Sequence, residues 1–168
     1  MEVIHTTLEE ILDKEGIVTY VINGRSMEPM LLPAKDFVTI KKQSSGFAEN
    51  DVVLYKNNGK LILHRIVSVC SDNTYQIMGD NCAMVESGIH GSDIIGRLVA
   101  FTHDGKQYTI DDIDYKNYVE ELRKHERKRK RRKRVRDVIV ENLQFMPETF
   151  VNAVKLFLDE HLKYKIEF

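Results

Sequence analysis

Cysteine is scarce: Cys70 and Cys82 are the only two, they form no C-x-x-C pair, and no histidine stands near either at ligand spacing. That argues against a disulfide framework or a zinc site and leaves two reduced, partly buried thiols as the expectation. Long apolar runs are missing too, and none approaches the ~18 residues that a membrane-spanning helix requires. The N-terminal Met1-Glu-Val-Ile-His5 has no basic region followed by an apolar stretch, so no secretory signal is expected. These absences predict a protein that is cytoplasmic or peripheral at a membrane, with no cofactor and no metal.

What is present supports a packed core, with 168 residues of which 42% are hydrophobic and 30% charged. Net charge is only −1, but the two signs are separated along the chain. Residues 1–114 hold ten Lys or Arg against seventeen Asp or Glu, whereas Arg123 to Arg136 holds eleven Lys or Arg and a single Glu. Such asymmetry argues for two parts with different partners.

Local patterns place the elements. Thr7-x-x-Glu10 reads as a capping box before Leu8, Ile11 and Leu12, with Gly16 closing a short helix. Strands are expected at Ile17–Ile22, Phe37–Lys41, Asp51–Lys56, Lys60–Val69, Thr74–Met78, Asp93–Thr102 and Lys106–Ile110. Asn57-Asn58-Gly59, Ser71-Asp72-Asn73 and His103-Asp104-Gly105 supply turns between them. Arg25–Pro33, with two prolines, reads as an ordered loop, and the Gly- and Ser-containing stretch after Met78 as another. From Tyr115 to about Asn142 turn residues are missing and charge is dense, which predicts a helix. Pro147 opens a last helix with Phe150, Val151, Val154, Phe157, Leu158 and Leu162 on one stripe. The fold class is therefore mainly β: an antiparallel β domain over 1–114 and a basic, amphipathic helical extension over 115–168.

Three short segments carry candidate chemistry. Gly24-Arg25-Ser26-Met27-Glu28-Pro29 displays a serine on a tight loop directly after a strand, where its hydroxyl is fixed and backbone N–H groups are close. Serine is inert until a base accepts its proton, and His64, inside the β-run Leu61–Val67, is the candidate. A carboxylate that orients the imidazole completes such a set, and Gly79-Asp80-Asn81 and Glu86 offer two. Each segment alone has an ordinary structural explanation: a turn serine, a half-buried histidine, an Asx turn.

Taken in order, Gly24-x-Ser-Met-x-Pro29, Phe37-Val-Thr-Ile, Asn50-Asp-Val-Val, Leu63-His-Arg-Ile-Val, Gly79-Asp-Asn and Ile95-Gly-Arg-Leu-Val resemble the signal peptidase I family from about Ile17 to Phe101. The likeness is to the histidine-type branch of the endoplasmic reticulum, archaea and some sporulating bacteria. LexA-type repressors share its fold and serine motif. The resemblance implies Ser26 as nucleophile, His64 as base and a peptide or protein substrate with small side chains before the cleaved bond. It aligns Asp80 with the aspartate of the Gly-Asp-Asn box and Glu86 with a second aspartate often given the triad role. The acid stays open: position at a strand end favours Asp80, the family pattern favours Glu86. Two further departures are Gly24, where signal peptidases usually carry an oxyanion-binding serine, and the missing N-terminal anchor. The alternatives are a self-cleaving LexA-type regulator and an inactive relic that binds a peptide or partner. Against the first, LexA-type proteins use lysine at the His64 position.

The Arg123–Arg136 run should repel itself unless an anionic surface eases it. Anionic lipid is the first expectation and nucleic acid the second. A solvated helix, a contact with the acidic β domain and a homo-oligomer remain open.

Overall fold

Thr7 starts the first helix by the predicted device: its hydroxyl accepts from Glu10 N–H while the Glu10 carboxylate accepts from Thr7 N–H. The computed structural model describes residues 7–82, 84–143 and 146–161, with the side chains of 125–137, 140–141 and 155–161 outside that description. The helix α1 (Leu8–Glu15) ends at Gly16 in the left-handed conformation. Its Leu12 is buried against the sheet at Gly96, where an added Cβ would come within 3.2 Å of Leu12 and 2.7 Å of Ile40.

Eight strands follow: β1 (Ile17–Val21), β2 (Phe37–Lys42), β3 (Val52–Asn57), β4 (Lys60–Val69), β5 (Thr74–Met78), β6 (Glu86–His90), β7 (Ile94–His103) and β8 (Lys106–Thr109). They form one antiparallel sheet in the order β1-β2-β7-β3-β4-β5-β6, with β8 on β7. Asn58 and Gly59 both have positive φ, as do Asp104 and Gly105, which is what two-residue hairpin turns of the right twist demand. Val53, Tyr55, Ile66, Ile77, Ile89 and Ile94 pack with Phe47 into one buried cluster, so strands β3 to β7 share a concave apolar face.

Strand β6 corrects one sequence expectation. The stretch after Met78 reads as loop because it contains Gly88, but Gly88, with φ of 75°, lies where the β5–β6 register slips. Tyr75 faces Ile89 and Ile77 faces Glu86, so β6 carries one more residue than β5 between these pairs. The glycine marks a bulge within a strand, a reading that alternation alone does not offer.

Helix α2 (Ile113–Asn142) begins two residues before the expected start, and α3 (Glu148–His161) has Pro147 just ahead of its first residue. The chain divides into two compact units, Met1–Lys116 and Asn117–Glu167. Among the described residues no helix is long and apolar enough to cross a membrane.

Candidate active site

Alternation along the strands decides what meets what. Val53 pairs with His64, Val52 with Arg65, and Arg65 with Met78. Directly paired residues share a face, and successive residues take opposite faces. His64 therefore lies on the concave side with Val53 and Tyr55, while Arg65 lies on the other with Met78. Two residues beyond Met78, Asp80 falls on the Arg65 side, and Gly79 falls on the His64 side.

The contacts follow that parity. Asp80 receives both arms of the Arg65 guanidinium, Nε at 2.8 Å and Nη2 at 2.7 Å, and both side chains are almost wholly buried. Arg65 Nη1 also donates to the Asn50 carbonyl at 2.9 Å and to the Tyr115 hydroxyl at 3.0 Å. On the other face, the partner of His64 Nδ1 is Glu86, whose Oε1 lies 3.2 Å away. Tyr55 donates its hydroxyl to the same oxygen at 2.7 Å, and Asn57 Nδ2 donates to Oε2 at 2.7 Å. The strand-end argument for Asp80 thus meets a finding that differs from it: Asp80 is well fixed, but by Arg65, while the strand that places Glu86 is the one the glycine concealed.

Ser26 sits partly exposed on a loop whose other members hold it down. Met27, Met30 and Leu31 are fully buried, and Leu31 N–H donates to the Met27 carbonyl at 3.1 Å. His103 Nδ1 donates to the Met30 carbonyl at 3.0 Å, and the buried Asp36 accepts from Leu32 N–H at 2.7 Å. The Glu28–Pro29 peptide is cis. The Gly79–Cys82 turn is laced to this loop, since Asn81 N–H donates to the Ser26 carbonyl at 2.8 Å and Asn81 Nδ2 to the Arg25 carbonyl at 3.1 Å.

Gly79 is where the segments converge. A Cβ there would stand 2.5 Å from the Ser26 carbonyl oxygen, 2.8 Å from Cys82 Sγ and 3.0 Å from His64 Nε2. Only glycine admits that approach. Gly24 is different: a Cβ there would meet nothing nearer than Ser26 Oγ at 3.9 Å, so a side chain at this position would lie beside the serine hydroxyl.

The electrostatics suit a base. Burial is the main cause that holds the His64 pKa below the usual histidine range, partly offset by the Glu86 charge and hydrogen bond and by Asp80. The imidazole is therefore neutral near pH 7. An ionised Glu86 can only accept, so Nδ1 carries the proton and Nε2, on the Ser26 side, keeps its lone pair. Tyr55 is pushed well above the usual tyrosine range, by burial first and by Glu86 next, and so stays a donor. Tyr55, Asn57 and Tyr115 belong to this constellation and carry no catalytic motif in the sequence, whereas Arg65 and Gly79 stand inside the Leu63-His-Arg and Gly79-Asp-Asn strings without a role of their own. Hairpin parity, read from Asn57-Asn58-Gly59, was the signal that links Tyr55 and Asn57 to the His64 face. Neither Cys70 nor Cys82 forms a disulfide among the described residues, and Cys82 lines the site. Among the described residues no group of three or more His, Cys, Asp or Glu is arranged to hold a metal.

Ser26, His64, Asp80 and Glu86 all fall within residues 3–99, the segment that matches the Peptidase S24-like family. A comparison with curated proteins gave no match. With more than half of its length matched, the chain belongs to the Peptidase S24-like family, which spans serine peptidases and self-cleaving LexA-type proteins.

Proposed function

We propose that the chain is a serine endopeptidase acting on signal or leader peptide-like substrates, with Ser26 as nucleophile, His64 as general base and Glu86 as the acid that orients it. The observation that carries this reading is the polarity of His64: Glu86 sits on Nδ1, and Nε2 faces the turn that touches the Ser26 carbonyl. In the mechanism, Nε2 takes the Ser26 proton as Oγ attacks the peptide carbonyl, and Glu86 stabilises the imidazolium. The imidazolium then protonates the leaving amine, and water, deprotonated by the same nitrogen, releases the acyl group from Ser26. Backbone N–H groups of the Ser26 loop would hold the oxyanion, because Gly24 brings no hydroxyl. The preference for small side chains before the cleaved bond is taken from the resemblance to signal peptidases. Histidine in place of lysine favours this reading over self-cleavage.

Intact-mass measurement of the purified chain, alone and with peptides bearing small residues before a candidate bond, is the test. The peptides should be cut while the chain keeps its mass. Loss of mass by the chain itself would favour the self-cleaving reading, and intact peptides with an intact chain would favour a binding relic.

The Arg123–Arg136 run is proposed to hold the peptidase to anionic lipid, since residues 1–114 carry a net −7 that such a surface repels. Full-length protein should sediment with anionic vesicles at low salt and leave them as salt rises. A chain truncated after Asp114 should stay in solution. Binding to nucleic acid with a steep salt slope and none to vesicles would reverse the assignment.

A further inference from the structure

Glu86 begins the edge strand of the sheet, and the residues before it are open to solvent: Met84 is 80% exposed and Val85 42%. The ladder to Ile77 fixes the Glu86 backbone but not its three rotatable side-chain bonds, and holding such a side chain still costs rotamer entropy. Yet its carboxylate reaches across the concave face to β3, past two intervening strands. There both oxygens are taken, Oε1 by the Tyr55 hydroxyl and Oε2 by Asn57 Nδ2. Tyr55 is fully buried in the apolar cluster, so its hydroxyl is a rigid point. It also lies 3.3 Å from His64 Nδ1.

We propose that Tyr55 and Asn57 are positioning residues that clamp the Glu86 carboxylate onto His64 Nδ1, and that this clamp is what lets a glutamate serve where an aspartate would be shorter. The inference rests on the Ser26–His64–Glu86 reading and deepens it. Tyr55 and Asn57 are two apart on one strand and so share a face, which lets a single β-strand bring one donor to each carboxylate oxygen. Tyr55 donates to Oε1 and its oxygen is free to accept from Nδ1–H, which closes a small ring of donors and acceptors around Oε1. Other titratable groups around the imidazole are Asp80 and Cys82, both from the turn after β5.

The clamp has a sign. Glu86 raises the His64 pKa against the lowering effect of burial. Releasing the carboxylate removes that support, so the midpoint should fall and the base should weaken. The test is an NMR titration of the His64 imidazole in the Ser26→Ala background, where cleavage plays no part, with Tyr55→Phe, Asn57→Ala and Glu86→Gln compared. Tyr55→Phe and Asn57→Ala should each move the midpoint down, toward that of Glu86→Gln. With Ser26 restored, kcat should fall about 10- to 100-fold, the size found when outer partners of a metal-bound histidine are removed, and KM should hold within about twofold. Thermal melting checks that each variant is folded. A midpoint that stays or rises overturns the clamp, whereas cleavage that survives Ser26→Ala overturns the peptidase reading and leaves the titration result standing.

Discussion

Residues 64 and 65 are neighbours on one strand, yet each holds a carboxylate on an opposite side of the sheet, and the two pairs differ in kind. Arg65 and Asp80 are sealed, with side chains 5% and 3% exposed and two short bonds between them. His64 and Glu86 are a looser pair at 3.2 Å with side chains 10% and 27% exposed. The first pairs a guanidinium that never loses its proton with a carboxylate; it can fix a turn but cannot exchange a proton. The second pairs an imidazole, which can take up and give back a proton, with an acceptor that holds its tautomer. A permanent charge pair therefore builds the frame on one face, and a switchable one is left for chemistry on the other. The Gly79–Cys82 turn joins them, since Asp80 is held from behind while Gly79 touches both His64 and the Ser26 loop.

The largest effect should come from the chemical side. Ser26→Ala or His64→Ala should each abolish cleavage; Ser26→Ala should change stability by no more than ~1 kcal/mol, whereas His64→Ala removes a buried, hydrogen-bonded ring and should cost about 1–3 kcal/mol. Unchanged turnover in either would dissolve the comparison. Next, Glu86→Asp should lower kcat about tenfold or more, since the shortened carboxylate cannot reach Nδ1, Tyr55 and Asn57 together; steady-state kinetics decides it. Gly24→Ser tests the oxyanion side. The site has room, and a hydroxyl beside Ser26 Oγ should raise kcat, by at most the ~10²–10³ that one such donor is worth elsewhere. A fall in rate would show that the loop is organised differently.

Smaller effects probe the pH behaviour and the frame. The acid limb of kcat/KM should lie below the unperturbed histidine pKa of ~6.5, because burial holds the His64 pKa down. The unfolded chain takes up a proton that buried His64 refuses, so its contribution to stability is complete above that value. It is lost as pH falls through the folded value. Denaturant melts across that window should show the loss, and His64→Gln should remove it. Tyr115→Phe should cost about 1 kcal/mol in melting experiments, with kcat unchanged, since Arg65 Nη1 keeps the Asn50 carbonyl.

Much of this was legible in the residues. The capping box at Thr7, the hairpin at Asn58-Gly59 and the serine loop follow from local chemistry that tertiary structure does not override. The acid was harder. Asp80 looked better placed because a strand end precedes it, and Glu86 looked loose because Gly88 follows it. Which carboxylate meets the imidazole is set by register, and register is a long-range property: one bulge at Gly88 keeps Glu86 facing Ile77, and parity from Met78 sends Asp80 to Arg65. The Leu63-His-Arg string held the hint, since an arginine next to the base needs a buried acid of its own. Tyr55 and Asn57 were hidden for a related reason. Their partner lies three strands away in a sheet whose curl no local pattern specifies.

The most direct measurement is a parallel one on the two acids: kcat and melting temperature for Glu86→Gln and for Asp80→Asn. Glu86→Gln should lower kcat by orders of magnitude, toward the ~10⁴ typical of a lost triad acid, with melting nearly unchanged. Asp80→Asn leaves Arg65 buried without its counter-charge and should cost about 3–5 kcal/mol of stability. Its loss of activity should track that loss of folded structure. A stable Asp80→Asn protein that has lost catalysis, beside a Glu86→Gln protein that keeps it, would contradict the account.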